Sequence, residues 1–358
     1  MNKLIAATTT MLTFALSANA SEPAEKAFEP HARLYADLAM SLRGNTHVGY
    51  LQYASLGGTF DTEKANWWRG GSFHASFANT FGSKPSEDWI GDWQYVDFIE
   101  NGNFTFADQL WYRQSSEQTD ITVGLQDLND YFNWSDATYY YINGSFQLIP
   151  TLGINYNVPS LPVNGLGVNL EQRFGDHVAL RAGLFDSDVR PLDDDNKYNL
   201  QWHFGTRNGL LALLEMQYSN DKGMIQLGAH YETIEEEAGL YLKADRTLFE
   251  SDRRKVEAFG QLGAMANRSA LCTANICAGA NVHGIFGKKE FDAAGLGFSS
   301  AFFNDISTET AIEFFYKISV VDILYFQADC QYIINPVGEK NCYNPNAVFA
   351  ALRLCIDF

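Results

Sequence analysis

Residues 330–358 read CQYIINPVGEKNCYNPNAVFAALRLCIDF and end on an aromatic residue, Phe358. In the final run the apolar side chains share one parity, and the opposite parity carries Arg353, Cys355 and Asp357. This period of two predicts a β-strand with a single apolar face. A strand of an outer-membrane barrel places such a terminal aromatic residue in the interfacial girdle. The stretch therefore predicts a barrel-closing strand, whose terminal Phe358 suits recognition by the barrel-assembly machinery.

The other end of the chain, MNKLIAATTTMLTFALSANA, indicates export. It has a lone Lys3, an apolar core from Leu4 to Leu16 and the small residues Ala18 and Ala20. This is the pattern of a signal peptide over residues 1–20. The alternative, a membrane anchor, is disfavoured because the apolar stretch is shorter than the roughly 20 residues a spanning helix needs. We expect a periplasmic amino-terminal segment over 21–43 and an outer-membrane β-barrel over 44–358.

The composition favours strands and excludes one class of partner. Aromatic residues make up 14% of the chain, and there are 29 glycines, which suits strands and tight turns. The formal net charge is −18, which makes nucleic acid an unsuitable partner. No Gly-rich phosphate loop or metal-ligand constellation stands out, so we expect no cofactor.

Sixteen alternating or aromatic-rich runs follow one another along the chain. They cover 46–57, 71–81, 91–100, 104–114, 120–127, 165–174, 177–186, 208–219, 223–233, 238–249, 255–266, 277–287, 292–303, 308–319, 323–334 and 347–358. All nine prolines fall outside these runs, as expected for a closed sheet in which proline cannot donate a ladder hydrogen bond. The runs predict an all-β fold, a 16-stranded antiparallel transmembrane barrel.

The longest link between predicted strands, 128–164, is expected to be functional. With both chain ends in the periplasm, it becomes the third extracellular loop. A loop of this length in a compact architecture is either functional or a misassignment. We expect it to fold into the lumen and form the constriction.

The five cysteines all lie in the last third of the chain. Cys272 and Cys277 flank a polar stretch, and Cys330 and Cys342 bracket IINPVGEKN. Two disulfides suit an oxidising periplasm, and neither pair has zinc-site spacing. Five unpaired thiols are the alternative, because sequence fixes disulfide connectivity poorly.

Several longer stretches resemble one family, the carbohydrate-selective porins of the OprB type. The first are GGTFDTEKANWWRGGSFHASF (57–77), IGDWQYVDFIE (90–100), ADQLWYRQ (107–114) and ITVGLQDLNDYFNWSDATYYYINGSF (121–146). The end of the chain agrees through GIFGKKEFDAAGLGF (284–298), TETAIEFFYKI (308–318) and LYFQADCQYIINPVGEKNCYNPNAVFAALRL (324–354). The resemblance implies a 16-stranded outer-membrane barrel that conducts small sugars passively, without turnover chemistry. The chain departs from the family in its shorter length, its extra cysteines and Arg113, where an acidic residue is common.

The parity opposite the apolar face identifies the candidate pore-lining side chains. They are Gln109, Trp111, Arg113, Asn169, Glu171, Arg173, Arg181, Glu215, Glu257 and Glu313 on strands, with Asp127, Asn129, Asp130 and Asp136 at the third loop. Arginine forks and carboxylates hydrogen-bond sugar hydroxyls, and an aromatic face can cover a pyranose. The alternative is that these charges solvate the lumen and hold the third loop by ion pairs. We expect Arg113, Arg173 and Arg181 to form one basic patch.

Three other functions fit individual features of the sequence. A general or anion-selective porin is possible, although a phosphate-type pore would need an excess of inward Lys and Arg. A lipase-like enzyme would use His74 and Ser76, but their parity directs them into the lumen instead of toward lipid. The acidic residues of the fourth loop form a calcium-site candidate or a solvated surface: Asp186, Asp188, Asp193, Asp194 and Asp195.

Overall fold

The computed structural model describes residues 26–42, 46–205, 207–338 and 346–358. Its strands form one closed antiparallel barrel in which each strand pairs with its sequence neighbours and β1 pairs with β16. The strands are β1 (Phe28–Ser41), β2 (His47–Asp61), β3 (Gly71–Gly82), β4 (Phe104–Ser115), β5 (Thr119–Gln126), β6 (Gly165–Phe174), β7 (Val178–Asp186), β8 (Leu210–Asn220), β9 (Gly223–Glu232), β10 (Glu237–Glu250), β11 (Lys255–Met265), β12 (Cys272–His283), β13 (Asp292–Phe303), β14 (Glu309–Val321), β15 (Leu324–Ile334) and β16 (Ala347–Asp357). The predicted 16-stranded barrel is confirmed.

The two faces of the barrel wall differ in chemistry. On β14, Ile312 and Phe314 are exposed on the outside, whereas Glu313 between them is fully buried. The same alternation puts Leu242 outside and Lys243 inside on β10. An apolar outer face with a polar inner face is the pattern of a membrane barrel. Within the described ranges, no helix has the length and apolar character needed to span a bilayer.

Two predicted segments are wrong. One strand was missed and another was predicted where the chain forms a loop, so the total of sixteen strands is unchanged. The segment expected in the periplasm, 21–43, contains β1, which includes Pro30 opposite Gly58 of β2. The run 91–100 is no strand and lies in the link between β3 and β4. There Val96 and Ile99 are fully buried and pack with Ile142. Its apolar residues therefore serve loop packing. The predicted signal peptide, residues 1–20, lies outside the described residues.

The three longest links between strands all lie at one end of the barrel. Links 116–118, 175–177 and 221–222 are tight turns at the end where β1 begins and β16 ends. The opposite end carries loop 2 (83–103), loop 3 (127–164) and loop 4 (187–209). Loop 3 is thus the third link at its end, as expected, and it contains short helices at Gly144–Gln147 and Pro150–Gly153.

The carboxy terminus closes the barrel. Phe358 and Ala32 of β1 exchange backbone hydrogen bonds of 2.9 and 3.0 Å. The Phe358 ring packs against a small outer cluster that contains Leu34 and Ile356. The final residue therefore contributes both to the seam and to the outer surface.

One of the two predicted disulfides, Cys272–Cys277, is wrong. Cys272 and Cys277 are free, buried thiols on one strand, β12. Residues five apart on a strand are separated by about 17 Å, well beyond disulfide reach. Cys330 lies exposed on β15, and its predicted partner Cys342 lies outside the described residues, so that pair stays a prediction.

Candidate pore constriction

Loop 3 is held by buried carboxylates of the inner face. Glu313 of β14 accepts hydrogen bonds from the backbone N–H groups of Ile142 (2.6 Å) and Asn143 (3.1 Å). Glu215 of β8 accepts from the N–H of Asn133 at 3.0 Å. Both glutamates are fully buried. Both were predicted as pore-lining residues, and in the structure both bond the backbone of loop 3.

Loop 3 also bonds with side chains of three other strands. Tyr141 donates its hydroxyl proton to Asn281 of β12 at 3.0 Å, and Lys243 of β10 donates to the Asn133 carbonyl at 2.7 Å. On the other side, Gln109 of β4 donates to Asp130 at 3.0 Å. One loop thus bonds with strands that are far apart around the barrel.

Two of the three predicted arginines share a carboxylate. Glu171 accepts from Arg173 at 2.9 Å and from Arg181 at 2.6 Å. Arg181 also donates to Glu215 at 2.8 Å. The chain of charges leads from the half-exposed Arg173 to the buried anchor Glu215. Arg181 therefore supports loop 3 through its partner Glu215.

Arg113 has different partners. Its guanidinium donates to the hydroxyls of Thr122 and Tyr131, each at 3.1 Å. It also lies over the rings of Trp111, at 4.9 Å, and Tyr131, at 5.6 Å. It contacts loop 3 through the aromatic residue Tyr131, and among the described residues no carboxylate lies within ion-pair distance of it. Arg113 also interacts electrostatically with Asp120, the carboxylate that pairs with Arg173, so the single patch of three arginines stays a prediction.

Residues of loop 3 line two cavities, which share part of their lining. The first encloses about 310 Å³ and is lined by Arg33, Asp127, Asn129 and Tyr139, among others. The second encloses about 370 Å³ and is lined by Arg181, Glu257 and residues of the short turns. Asp130 and Trp134 line both cavities. Asp130 and Trp134 thus belong to the walls of both cavities.

The first cavity is lined by both acidic and basic side chains. Burial raises the pKa of Asp130, and burial together with the Asp130 charge raises the pKa of Asp127. Arg33 of β1 lines the same cavity with a half-exposed side chain and pairs with Asp357 at 3.1 Å. Opposite charges therefore line the first cavity next to the aromatic side chains of Trp134 and Tyr139.

A second inner-face network joins the barrel seam to loop 2. Arg353 of β16 faces Asp37 of β1 in register, with an Nη2 to Oδ2 distance of 2.6 Å. The same nitrogen lies 2.9 Å from Asp97 of loop 2. All three side chains are buried. Sequence reasoning missed Arg33 and Asp37 because the segment that contains them was assigned to the periplasm.

A β-bulge concealed another inner-face residue, Asp108. The register between β3 and β4 shifts at Ser76, so Asp108 and Gln109 lie together opposite it. Asp108 is buried and accepts hydrogen bonds from Ser55, Ser76 and Asn164. A bulge reverses the parity of the strand, so strict alternation could not find it.

Among the described residues, His74 and Ser76 form no pair for lipase-like chemistry, and no metal site is assembled. The Ser76 hydroxyl donates to Asp108 at 3.0 Å, and the His74 ring bonds with Thr59 and stacks on Trp111. His74 and Ser76 therefore have separate partners. Within the described ranges, no group of three or more His, Cys, Asp or Glu side chains is placed to hold a metal ion.

Comparison with known proteins identifies the family. The sequence matches the carbohydrate-selective porin family, OprB, over residues 46–236 and 234–358. The chain belongs to this family. The high-pH structure of Pseudomonas putida OprB superimposes with a TM-score of 0.82 at 17% identity, covering 93% of this chain and 94% of that one. No curated protein sequence gives a significant match.

More distant porin structures share the fold. A loop-deletion mutant of OmpT from Vibrio cholerae gives a TM-score of 0.56 at 9% identity, covering 92% of this chain and 99% of that one. A mutant of Rhodopseudomonas blastica porin gives 0.51 at 14% identity, with coverages of 92% and 100%. The protein is a sugar-selective porin of the bacterial outer membrane, and the family and fold are those of a channel.

Proposed function

We propose that small neutral sugars of glucose to disaccharide size diffuse passively through the two cavities, past Asp130 and Trp134, into the periplasm. The observation that carries this proposal is that these two residues line both cavities. In this proposal loop 3 lies inside the barrel and narrows the path. Its hydrogen bonds to inner-face side chains of β4, β8, β12 and β14 support that placement.

The chemistry at this point suits a polyhydroxyl solute. An indole or phenol ring covers the apolar face of a pyranose, and the carboxylate and guanidinium groups bond its hydroxyls. Trp134 and Tyr139 supply rings, whereas Asp130 and Arg33 supply charges of opposite sign. Mixed charge gives little preference for an ion of either sign, whereas an anion-selective pore needs an excess of cationic side chains.

Liposome swelling tests the proposal. The purified porin should admit glucose-sized neutral sugars faster than anions of similar size, and Trp134→Ala should reduce block of the single-channel current by maltose. Glu235→Gln removes an exposed charge on the link between β9 and β10 and should leave both properties unchanged. Equal or faster phosphate flux would favour the general or anion-selective porin. Unchanged maltose block in Trp134→Ala would remove Trp134 from the path.

A further inference from the structure

The barrel wall has a gap where loop 3 leaves it. β5 pairs with β4 only as far as Leu125 opposite Leu110, and loop 3 begins after Gln126. The first half of β4, Phe104 to Gln109, therefore has no partner from β5. Unpaired backbone groups at a strand edge are energetically costly in hydrocarbon, so a membrane barrel needs another partner there.

Loop 4 fills this gap with its own backbone and one side chain. The N–H of Ala107 donates to the Tyr198 carbonyl at 3.0 Å. The Asn199 amide donates to the carbonyls of Ala107 at 3.2 Å and of Asn164 at 3.0 Å. Asn164 immediately precedes β6. Tyr198 and Asn199 thus connect β4 with the beginning of β6, in the place that β5 leaves open.

The segment that makes this connection exposes large apolar side chains. Tyr198 is 55% exposed, Leu200 62%, Trp202 37% and Phe204 44%. None of the four lines either cavity of the described structure. Ala107, to which Tyr198 bonds, lies opposite Phe77, which is 65% exposed on the outer face. The segment is therefore continuous with the apolar outer surface at strand height.

We propose that residues 198–204 of loop 4 form part of the barrel wall and contact the lipid of the outer leaflet. Tyrosine and tryptophan are enriched at the membrane interface, where one end of the ring is apolar and the other is hydrated. The neighbouring Asp193, Asp194, Asp195 and Lys197 are exposed and polar, as suits the aqueous side of that interface. The barrel-wall role of this segment stands on the fold alone and does not depend on which solute the pore carries.

Quenching of tryptophan fluorescence by lipids brominated on the acyl chain tests this contact. The porin is reconstituted in brominated and unbrominated phosphatidylcholine vesicles as wild type, Trp202→Phe and Trp134→Phe. Trp134 is a matched control because it is 39% exposed but lines the cavities. The bromine-quenched fraction of the emission should fall in Trp202→Phe and rise in Trp134→Phe. Leu200→Trp adds a reporter in case Trp202→Phe does not fold, and its extra emission should be quenched by bromine.

Each alternative environment gives a different result. Quenching of the Trp202 emission by aqueous iodide but not by brominated lipid would place the segment in water and overturn the proposal. Protection from both quenchers would also overturn it, because the segment would then be covered by protein, such as a second copy of the chain. Phosphatidylcholine vesicles supply only acyl chains and a zwitterionic headgroup, so a positive result assigns the contact to lipid itself.

Discussion

At the scale of single residues, Arg181 and Arg113 differ in what they hold. Arg181 pairs with Glu215, which is fully buried and also bonds the Asn133 N–H of loop 3. Arg181→Ala removes the guanidinium that lies 2.8 Å from that carboxylate, and breaking a buried pair in this way costs about 3 kcal/mol. We expect loop 3 to loosen, which raises single-channel conductance and weakens the preference for sugars.

Arg113→Ala is the matched comparison for this prediction. Arg113 bonds two hydroxyls, those of Thr122 and Tyr131, and its loss leaves no buried charge unpaired. A hydrogen bond from a guanidinium to a neutral hydroxyl is also weaker than an ion pair of good geometry with a carboxylate. The conductance change should therefore be smaller than in Arg181→Ala. If the two variants gave equal changes in planar-bilayer recordings, the Glu215 anchor would not control the loop.

The same residues show how far alternation could locate the inner face. Strict period two predicts Arg113, Arg181 and Glu313 on the inner parity, and in the structure all three side chains bond other polar groups. It could not separate lining residues from anchors, because that distinction depends on where loop 3 lies. Whether Glu313 meets water or the N–H groups of Ile142 and Asn143 is decided by a contact 170 residues away in sequence.

At the scale of elements, the sequence predicted the strand count but misassigned two segments. β1 carries Glu29, Pro30 and Arg33 near its start, which gave it a polar appearance. Loop 2 contains GDWQYVDFIE, whose aromatic and apolar residues resemble the composition of a strand. A loop that packs inside a barrel buries apolar side chains just as a strand does, so local composition alone cannot distinguish the two.

The terminal strand provides a prediction at this scale. Phe358 closes the seam through two backbone hydrogen bonds to Ala32, and its ring packs beside Leu34 on the outer face. Phe358→Asp places a charge on that apolar surface and removes the terminal aromatic residue. We expect much less folded porin in outer-membrane fractions, measured as the heat-modifiable band on mild detergent gels. The conductance of the channels that do assemble should be unchanged.

Phe286→Asp is the control for the terminal substitution. Phe286 is 82% exposed at the link between β12 and β13, remote in sequence from the seam. The same loss of an aromatic ring there should leave the folded band near its wild-type level. Normal assembly of Phe358→Asp would show that the terminal residue has no special part in recognition by the assembly machinery.

At the scale of the whole molecule, acidic side chains of the inner face hold the long loops. Glu215 and Glu313 hold loop 3. Glu309 of β14 accepts hydrogen bonds from the N–H groups of Trp93 and Gln94 and so holds loop 2. Carboxyl groups suit this task because each accepts several hydrogen bonds, and they also titrate. The loop packing of this porin should consequently depend on pH.

Loop 2 gives the clearest expected pH dependence. Burial raises the pKa of Asp92 from 3.8 to about 6, and burial also raises the pKa of Glu100 in the same loop. Glu309 and Glu100 interact electrostatically with Asp92, so a charge on Asp92 is repelled. Because the folded-state pKa is raised, the stabilisation is fully present below about pH 4 and is lost as the pH rises through about 6.

We therefore expect loop 2 to be more firmly attached at pH 5 than at pH 7.5. Hydrogen exchange of loop 2 peptides, corrected for the intrinsic effect of pH, should show greater protection at the lower pH. Asp92→Asn removes the titrating group and should flatten this difference, whereas Asp88→Asn, which changes an exposed residue of the same loop, should preserve it. A pH profile in Asp92→Asn that matched the wild type would assign the dependence to another carboxylate, since Asp92 would then not control the attachment of loop 2.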